Sequence, residues 1–187
     1  MKNYQITEWC HHFIKQHVQL GAYCVDATAG NGNDTQFLCE LVGEQGKVWA
    51  FDIQEQAICN TKKRLEEADL SDRAEVILDS HVNMAQYVSA DSVDGIVFNF
   101  GYLPGGDHSL STKKDSSIQA IYESLRLLKK GGILSLCIYS GGASGFEEKD
   151  GILSMLKELD GKEYLVIVSE YYNRPNCPPI PVLVVKL

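Results

Sequence analysis

Apolar residues in this chain gather in short runs bounded by turn signals, and between the runs they recur every three or four positions. The runs predict seven strands, over residues 22–28, 47–53, 74–78, 95–100, 133–139, 164–170 and 181–186. The intervening stripes predict helices. Trp9, Phe13, Ile14 and Val18 share one side of a helix over about 7–18, ahead of the first strand. Ala57, Ile58, Thr61, Leu65 and Ala68 mark a second. Ile118, Ile121, Leu125 and Leu128 mark another that should stop at Gly131-Gly132, and Ile152, Leu153, Leu156 and Leu159 mark one more. Strands alternating with helices make a mostly parallel sheet covered on both faces. The last two strands are joined through residues 171–180 with no helical pattern, which implies an antiparallel pair at the C-terminal end.

Composition narrows the frame. At 187 residues with 44% apolar content, the chain suits one α/β domain over 1–187 with a continuous core. The first twenty residues carry charged and polar side chains throughout, unlike a secretory leader, and no segment reaches membrane-spanning length. Cys10, Cys24, Cys39, Cys59, Cys137 and Cys177 contain no CxxC pair; they read as reduced core residues of a cytoplasmic protein, with no metal site expected. A formal net charge of -8 argues against broad electrostatic adhesion to nucleic acid, while leaving room for a local basic patch and a partner recognised by shape.

The chemistry concentrates first at residues 25–35, where an apolar strand runs into a glycine turn that opens a helix. Gly30 and Gly32 allow positive φ and let a ligand approach the backbone. Asp52 ends the next strand, placed to accept hydrogen bonds from a ribose diol. A nicotinamide fingerprint would place a third glycine near position 35, where this chain has Thr35 after Asn31, Asn33 and Asp34. The turn therefore suits a cofactor without a pyrophosphate. S-adenosylmethionine is one, and Asp26 and Asp34 suit its ammonium group.

Ligands of open α/β sheets bind beyond the carboxyl ends of the strands. Leu78-Asp79-Ser80-His81, after the third strand, supplies Ser80, His81 and Asp79 as candidates for the adenosine. Asn99, Tyr102, Leu103, Pro104, Asp107 and His108 follow the fourth strand, the glycine-rich 140–145 loop follows the fifth, and Tyr171, Tyr172, Asn173, Arg174 and Cys177 follow the sixth. Five parallel strands with an antiparallel terminal pair make a Rossmann-like sheet that resembles the class I S-adenosylmethionine-dependent methyltransferases. In members that modify amino nitrogens this fourth-strand end often carries Asn or Asp followed by proline and an aromatic, and Asn99 with Tyr102 looks like a variant of that arrangement. A side-chain carbonyl there can accept the amine's N–H bonds and aim its lone pair at the methyl carbon.

The resemblance narrows further. Asp26-Ala27-Thr28, Gly30-Asn31-Gly32, Asp34-Thr35, Phe51-Asp52-Ile53-Gln54, Asp79-Ser80-His81, Asn99, Gly101-Tyr102-Leu103-Pro104-Gly105-Gly106-Asp107, Asn173, Asn176 and Pro178-Pro179 are similar to a small bacterial family labelled rRNA methylases. They are also similar to the tRNA 5-aminomethyl-2-thiouridine methyltransferase assigned within it. This resemblance implies conversion of a wobble-uridine 5-aminomethyl group to 5-methylaminomethyl. It implies S-adenosylmethionine bound by Asp26, Gly30, Asn31, Gly32, Asn33, Asp34, Asp52, Gln54, Ser80 and His81. Asn99, Tyr102 and Asp107 would act on the acceptor, with Leu103, Pro104, His108, Asn173 and Arg174 beside it. The implied partner is the tRNA anticodon region, and a homodimer is compatible with it. Where the family is expected to show Gly-His, the chain has Gly141-Gly142.

Several details follow for the acceptor. An alkylammonium must lose a proton before attack, and Asp107 and His108 are the nearest candidates for a base. Phe100, Tyr102, Tyr171 and Tyr172 are candidates to stack on a base, and Lys113, Lys114 and Arg174 to meet phosphates. The alternatives are an rRNA methyltransferase, a small-molecule N- or O-methyltransferase of the same fold, a noncatalytic nucleotide-binding module and a dehydrogenase with a divergent turn.

Overall fold

The computed structural model describes residues 5–101, 112–139, 142–175 and 177–187. Its order is α1 (Ile6–His17), β1 (Tyr23–Asp26), α2 (Asn33–Val42), β2 (Lys47–Asp52), α3 (Glu55–Glu67), β3 (Ala74–Leu78), β4 (Val93–Phe100), α4 (Lys114–Leu127), β5 (Leu128–Ile138), α5 (Gly142–Lys157), β6 (Tyr164–Val168) and β7 (Ile180–Lys186). Single 3-10 turns cover Ser71–Arg73 and His81–Gln86. The seven strands form one sheet in the order β3-β2-β1-β4-β5-β7-β6. β1 to β5 are mutually parallel, and β7 inserts antiparallel between β5 and β6.

Strand periodicity divides the core into two layers. Ile96, Phe98 and Phe100 of β4 and Leu134 and Leu136 of β5 point to the face covered by α4 and α5, where they meet Ile121, Leu125, Ile152 and Leu156. Cys24, Val48, Val97 and Ile133 point the other way, against Ile14 and Val18 of α1, Leu38 and Val42 of α2 and Leu65 of α3. Both faces of the central strands are thus dry, and their carboxyl ends are left as the open edge for a ligand. The switch point lies where β1 is flanked by β2 and β4.

Two expectations need correction. The third predicted stripe does not run on to Gly131-Gly132: α4 ends at Leu127 and β5 begins at Leu128, with the glycines inside the strand. Leu127 and Leu128 are both buried, so the core holds the chain through an abrupt change of direction, and Leu128 is already extended (φ -63, ψ 135). Gly131 takes φ +83 where the β4–β5 register shifts between Val93 and Gly95, so this pair shapes a bulge instead of capping a helix. The cysteines also divide: Cys10, Cys24, Cys39 and Cys137 are buried, while Cys59 and Cys177 are exposed. Among the described residues, no helix is long and apolar enough to cross a membrane.

Candidate active site

The carboxyl ends of β1, β2, β3 and β4 surround a cleft of about 520 Å³, within the size range of small-molecule sites. Its wall begins at the turn between β1 and α2. Gly30 has φ +55 and Gly32 φ +76, left-handed values that strain other residues. Asp52 holds this turn in place from the end of β2: Oδ2 accepts from the Gly30 N–H at 3.0 Å and Oδ1 from the Gln54 N–H at 2.9 Å. From behind, Arg64 Nε donates to the Asn31 carbonyl at 2.7 Å and Thr61 Oγ1 to the Gly30 carbonyl at 3.2 Å. An ideal Cβ on Gly32 would come within 2.9 Å of Thr61 Cα, so this glycine serves the approach of α2 to α3.

Gly30, Asn31, Asn33, Asp34, Asp52, Gln54, Ser80, His81 and Asn99 all line the cleft. Asp79 lines it too, with its carboxylate engaged by the Ser80 N–H, Asn83 Nδ2 and Tyr87 OH; the Asn83 bond is the first cause of a pKa below the usual carboxylate value. Burial lowers the His81 pKa, against a hydrogen bond with the Ala27 backbone, and so disfavours the charged imidazolium. Burial likewise raises the Tyr139 pKa and leaves a protonated phenol at the rim. Thr7, Thr112, Lys113 and Ser116 also line the cleft.

Other predicted residues lie elsewhere. Asp26 was expected beside a cofactor ammonium, but it is fully buried beneath the turn, where it accepts from Thr28 N–H at 3.1 Å and Thr35 Oγ1 at 2.6 Å. Desolvation first, and then the charge of Asp34, push its pKa up to about 7. Gly32 supports the turn without lining the cleft. Asn173 and Arg174 are exposed and do not line it either, because the segment after β6 leaves from the far edge of the sheet. Lys114 also lies off the lining, 3.8 Å from Glu147. Phe100 cannot stack on a base: it is buried and stacked on Phe98 at 4.8 Å. Tyr171 is half-buried, and Tyr172 is 97% exposed outside the cleft. Tyr102, Leu103, Pro104, Asp107, His108, Gly141 and Asn176 lie outside the described residues.

Sequence reasoning missed His11. Its Nε2 lies 2.6 Å from Asp34 Oδ1, while Asp34 Oδ2 accepts from Asn99 Nδ2 at 2.6 Å. It also missed Glu148, a buried carboxylate that accepts from Ser117 Oγ at 2.5 Å and Thr112 Oγ1 at 3.1 Å. Thr112 in turn bonds Gly101 twice, through its hydroxyl at 3.0 Å and its N–H at 3.1 Å. An amphipathic helix gives no hint that one of its polar residues faces a particular carboxylate, although a glutamate within the apolar stripe of α5 is such a signal.

The chemistry of this lining suits a cationic cofactor. Among the described residues, the carboxylates Asp34, Asp52 and Asp79 line the cleft against one lysine, Lys113, the reverse of what a pyrophosphate needs. Asp52 retains lone pairs for ribose hydroxyls, and Ser80 and His81 sit at the end of β3, on the side expected for a nucleoside. When bound, S-adenosylmethionine supplies a methyl group activated by its sulfonium.

Sheet order, glycine turn and acidic cleft together define a class I S-adenosylmethionine-dependent methyltransferase. Residues 48–185 match the family model described as "Putative rRNA methylase", and the chain belongs to that family. It is 46% identical to a Clostridium thermocellum protein designated a putative rRNA-methylase, with both chains covered completely and a TM-score of 0.96. A Streptococcus mutans protein designated a putative methyltransferase, solved with S-adenosylhomocysteine, is 37% identical over the whole of both chains, with a TM-score of 0.89. The chain is also 35% identical over 181 residues to the chloroplastic tRNA (mnm(5)s(2)U34)-methyltransferase of Arabidopsis thaliana. That match takes in 92% of this chain, which spans 66% of the plant protein's length. The cofactor is S-adenosyl-L-methionine.

Proposed function

We propose that this chain is a tRNA N-methyltransferase of the cytoplasm, converting 5-aminomethyl-(2-thio)uridine at the wobble position to 5-methylaminomethyl-(2-thio)uridine. The observation that carries the reading is Asn99. It is the penultimate residue of β4 and lines the cleft, and its Nδ2 is committed to Asp34, so the carbonyl Oδ1 is the end of the amide left to accept from an amine. An acceptor at this point holds an N–H and leaves the nitrogen lone pair free to align with the methyl carbon. Such alignment supplies roughly up to 7–11 kcal/mol of barrier lowering in ideal intramolecular reactions. The activity for which the Arabidopsis relative is named supports a wobble-uridine substrate, and Lys113 offers a cation on the same cleft lining for an anticodon phosphate.

Mass spectrometry of tRNA nucleosides tests this directly. Incubation of purified protein and S-adenosylmethionine with tRNA carrying the 5-aminomethyl group should convert that nucleoside to its monomethyl product. Modification of ribosomal RNA or of a small amine, with the tRNA nucleoside unchanged, would replace this reading with one of the alternatives. Binding of bulk tRNA across a salt series supplies an independent check, because phosphate contacts produce a counterion-release slope.

A further inference from the structure

The two ends of an asparagine amide have nearly the same shape and opposite hydrogen-bonding character, so neighbouring groups decide which end faces a ligand. At Asn99 that decision is made from α1. The Asn99 backbone N–H is fixed by Thr28 Oγ1 at 2.7 Å, and its side-chain Nδ2 by Asp34 Oδ2 at 2.6 Å. The other oxygen of Asp34 meets His11 Nε2 at 2.6 Å. The imidazole itself is immobilised, stacked on Phe37 with centroids 3.7 Å apart and planes 4° from parallel. With 18% of the His11 side chain and 16% of the Asp34 side chain exposed, little water is available to substitute for either partner.

We infer that His11 is a positioning residue: by engaging Asp34 Oδ1 it orients the carboxylate that holds the Asn99 amide with its carbonyl oxygen toward the acceptor. The inference rests on the reading of Asn99 given above. Without the histidine donor, Oδ1 of Asp34 loses its fixed partner and the carboxylate is free to turn about its Cβ–Cγ bond. The Asn99 amide then loses the direction that Asp34 enforces. An inverted amide would present N–H to an amine N–H, so the same pair discriminates in favour of nitrogen acceptors that donate a hydrogen bond. His11 meets the site through Asp34, in the first turn of α2, so cofactor affinity is read beside the rate in every variant.

Three variants separate donation from packing. His11→Phe keeps a ring against Phe37 and removes the donor; His11→Gln keeps an N–H at similar reach; His11→Asn has the amide on a stem one methylene shorter. In single-turnover methylation of tRNA carrying the 5-aminomethyl group, H11F and H11N should be about 10- to 100-fold slower than wild type, with H11Q recovering most of the loss. The dissociation constant for S-adenosylhomocysteine should change by less than about threefold in all three. H11F in an N99A background should be no slower than N99A alone, as expected of residues acting through one contact. A readout independent of turnover is the Asn99 side-chain amide signal in a ¹H–¹⁵N spectrum, assigned by its loss in N99A. It should move in H11F and H11N and stay near its wild-type position in H11Q.

A wild-type rate and an unmoved amide signal in H11F overturn the inference. Should H11F not fold, equal rates and signals for H11N and H11Q overturn it equally. If N99A itself methylates at the wild-type rate, the reading of Asn99 falls. If N99A is slow while H11F is normal, the role of His11 alone falls. Absence of methylation by the wild-type protein rejects the tRNA substrate, and the amide signal still decides whether His11 orients Asn99.

Discussion

The carboxylate of Asp52 reaches back from the end of β2 to accept the backbone N–H of Gly30 at 3.0 Å, joining two parts of the cleft wall that are 22 residues apart in sequence. Removing it therefore affects both ligand and scaffold. Asp52→Ala is expected to weaken S-adenosylhomocysteine binding by about 1.5–3 kcal/mol through loss of charge-assisted hydrogen bonds, and to lower the melting temperature modestly as the turn is released. Isothermal calorimetry on the folded variant measures the first effect. Unchanged affinity would remove Asp52 from the binding site.

Asn99→Ala probes the acceptor side. Its kcat is expected to fall by roughly 10² or more with a change in cofactor affinity below about 1 kcal/mol, because the lost interaction belongs to the aligned acceptor. Single-turnover methylation beside a cofactor titration separates the two quantities. Parallel losses of stability and affinity, with normal kcat for the folded fraction, would reduce Asn99 to a strand-end cap.

The buried carboxyl of Asp26 makes stability depend on pH in a defined direction. Its folded pKa is raised from 3.8 to about 7, so between those values the unfolded chain has released a proton that the folded one retains. The stability this group contributes is fully present below about 3.8 and is lost as pH rises through about 7. Asp26→Asn removes that titration. The difference in melting temperature, wild type minus D26N, should fall steadily from pH 4 to pH 7, whatever other groups shared by both proteins do. A difference that is flat or rises with pH would contradict the raised pKa.

Gly32 tests the turn as architecture. Alanine there meets Thr61 Cα at 2.9 Å and must adopt φ +76, so Gly32→Ala is expected to cost about 1–3 kcal/mol in urea unfolding. A stability loss below about 0.5 kcal/mol would show that α2 and α3 accommodate the methyl group readily.

Much of this molecule can be read before folding. The strand containing Trp49 and Phe51 and the one containing Ile96 and Phe98 are buried apolar runs, so their positions are written in composition, and Asp52 follows as the polar residue that ends such a run. The helix-to-strand boundary at Leu127 and Leu128 is illegible because both residues satisfy the helical stripe and the strand equally. Asp26 was open to a better reading: alternation along β1 puts it on the same side as Cys24, toward the core beneath α2, and opposite Val25. His11 and Arg174 mark the real boundary of local inference. One gains its meaning from a carboxylate 23 residues away, and the other follows a strand whose place at the sheet edge is decided only when β7 inserts before it.

The mutual hydrogen bonds of Gly101 and Thr112, backed by Glu148, tie the residue that follows β4 to the approach of α4. The junction of β4 with α4 is therefore fixed by contacts of its own, in addition to the covalent chain.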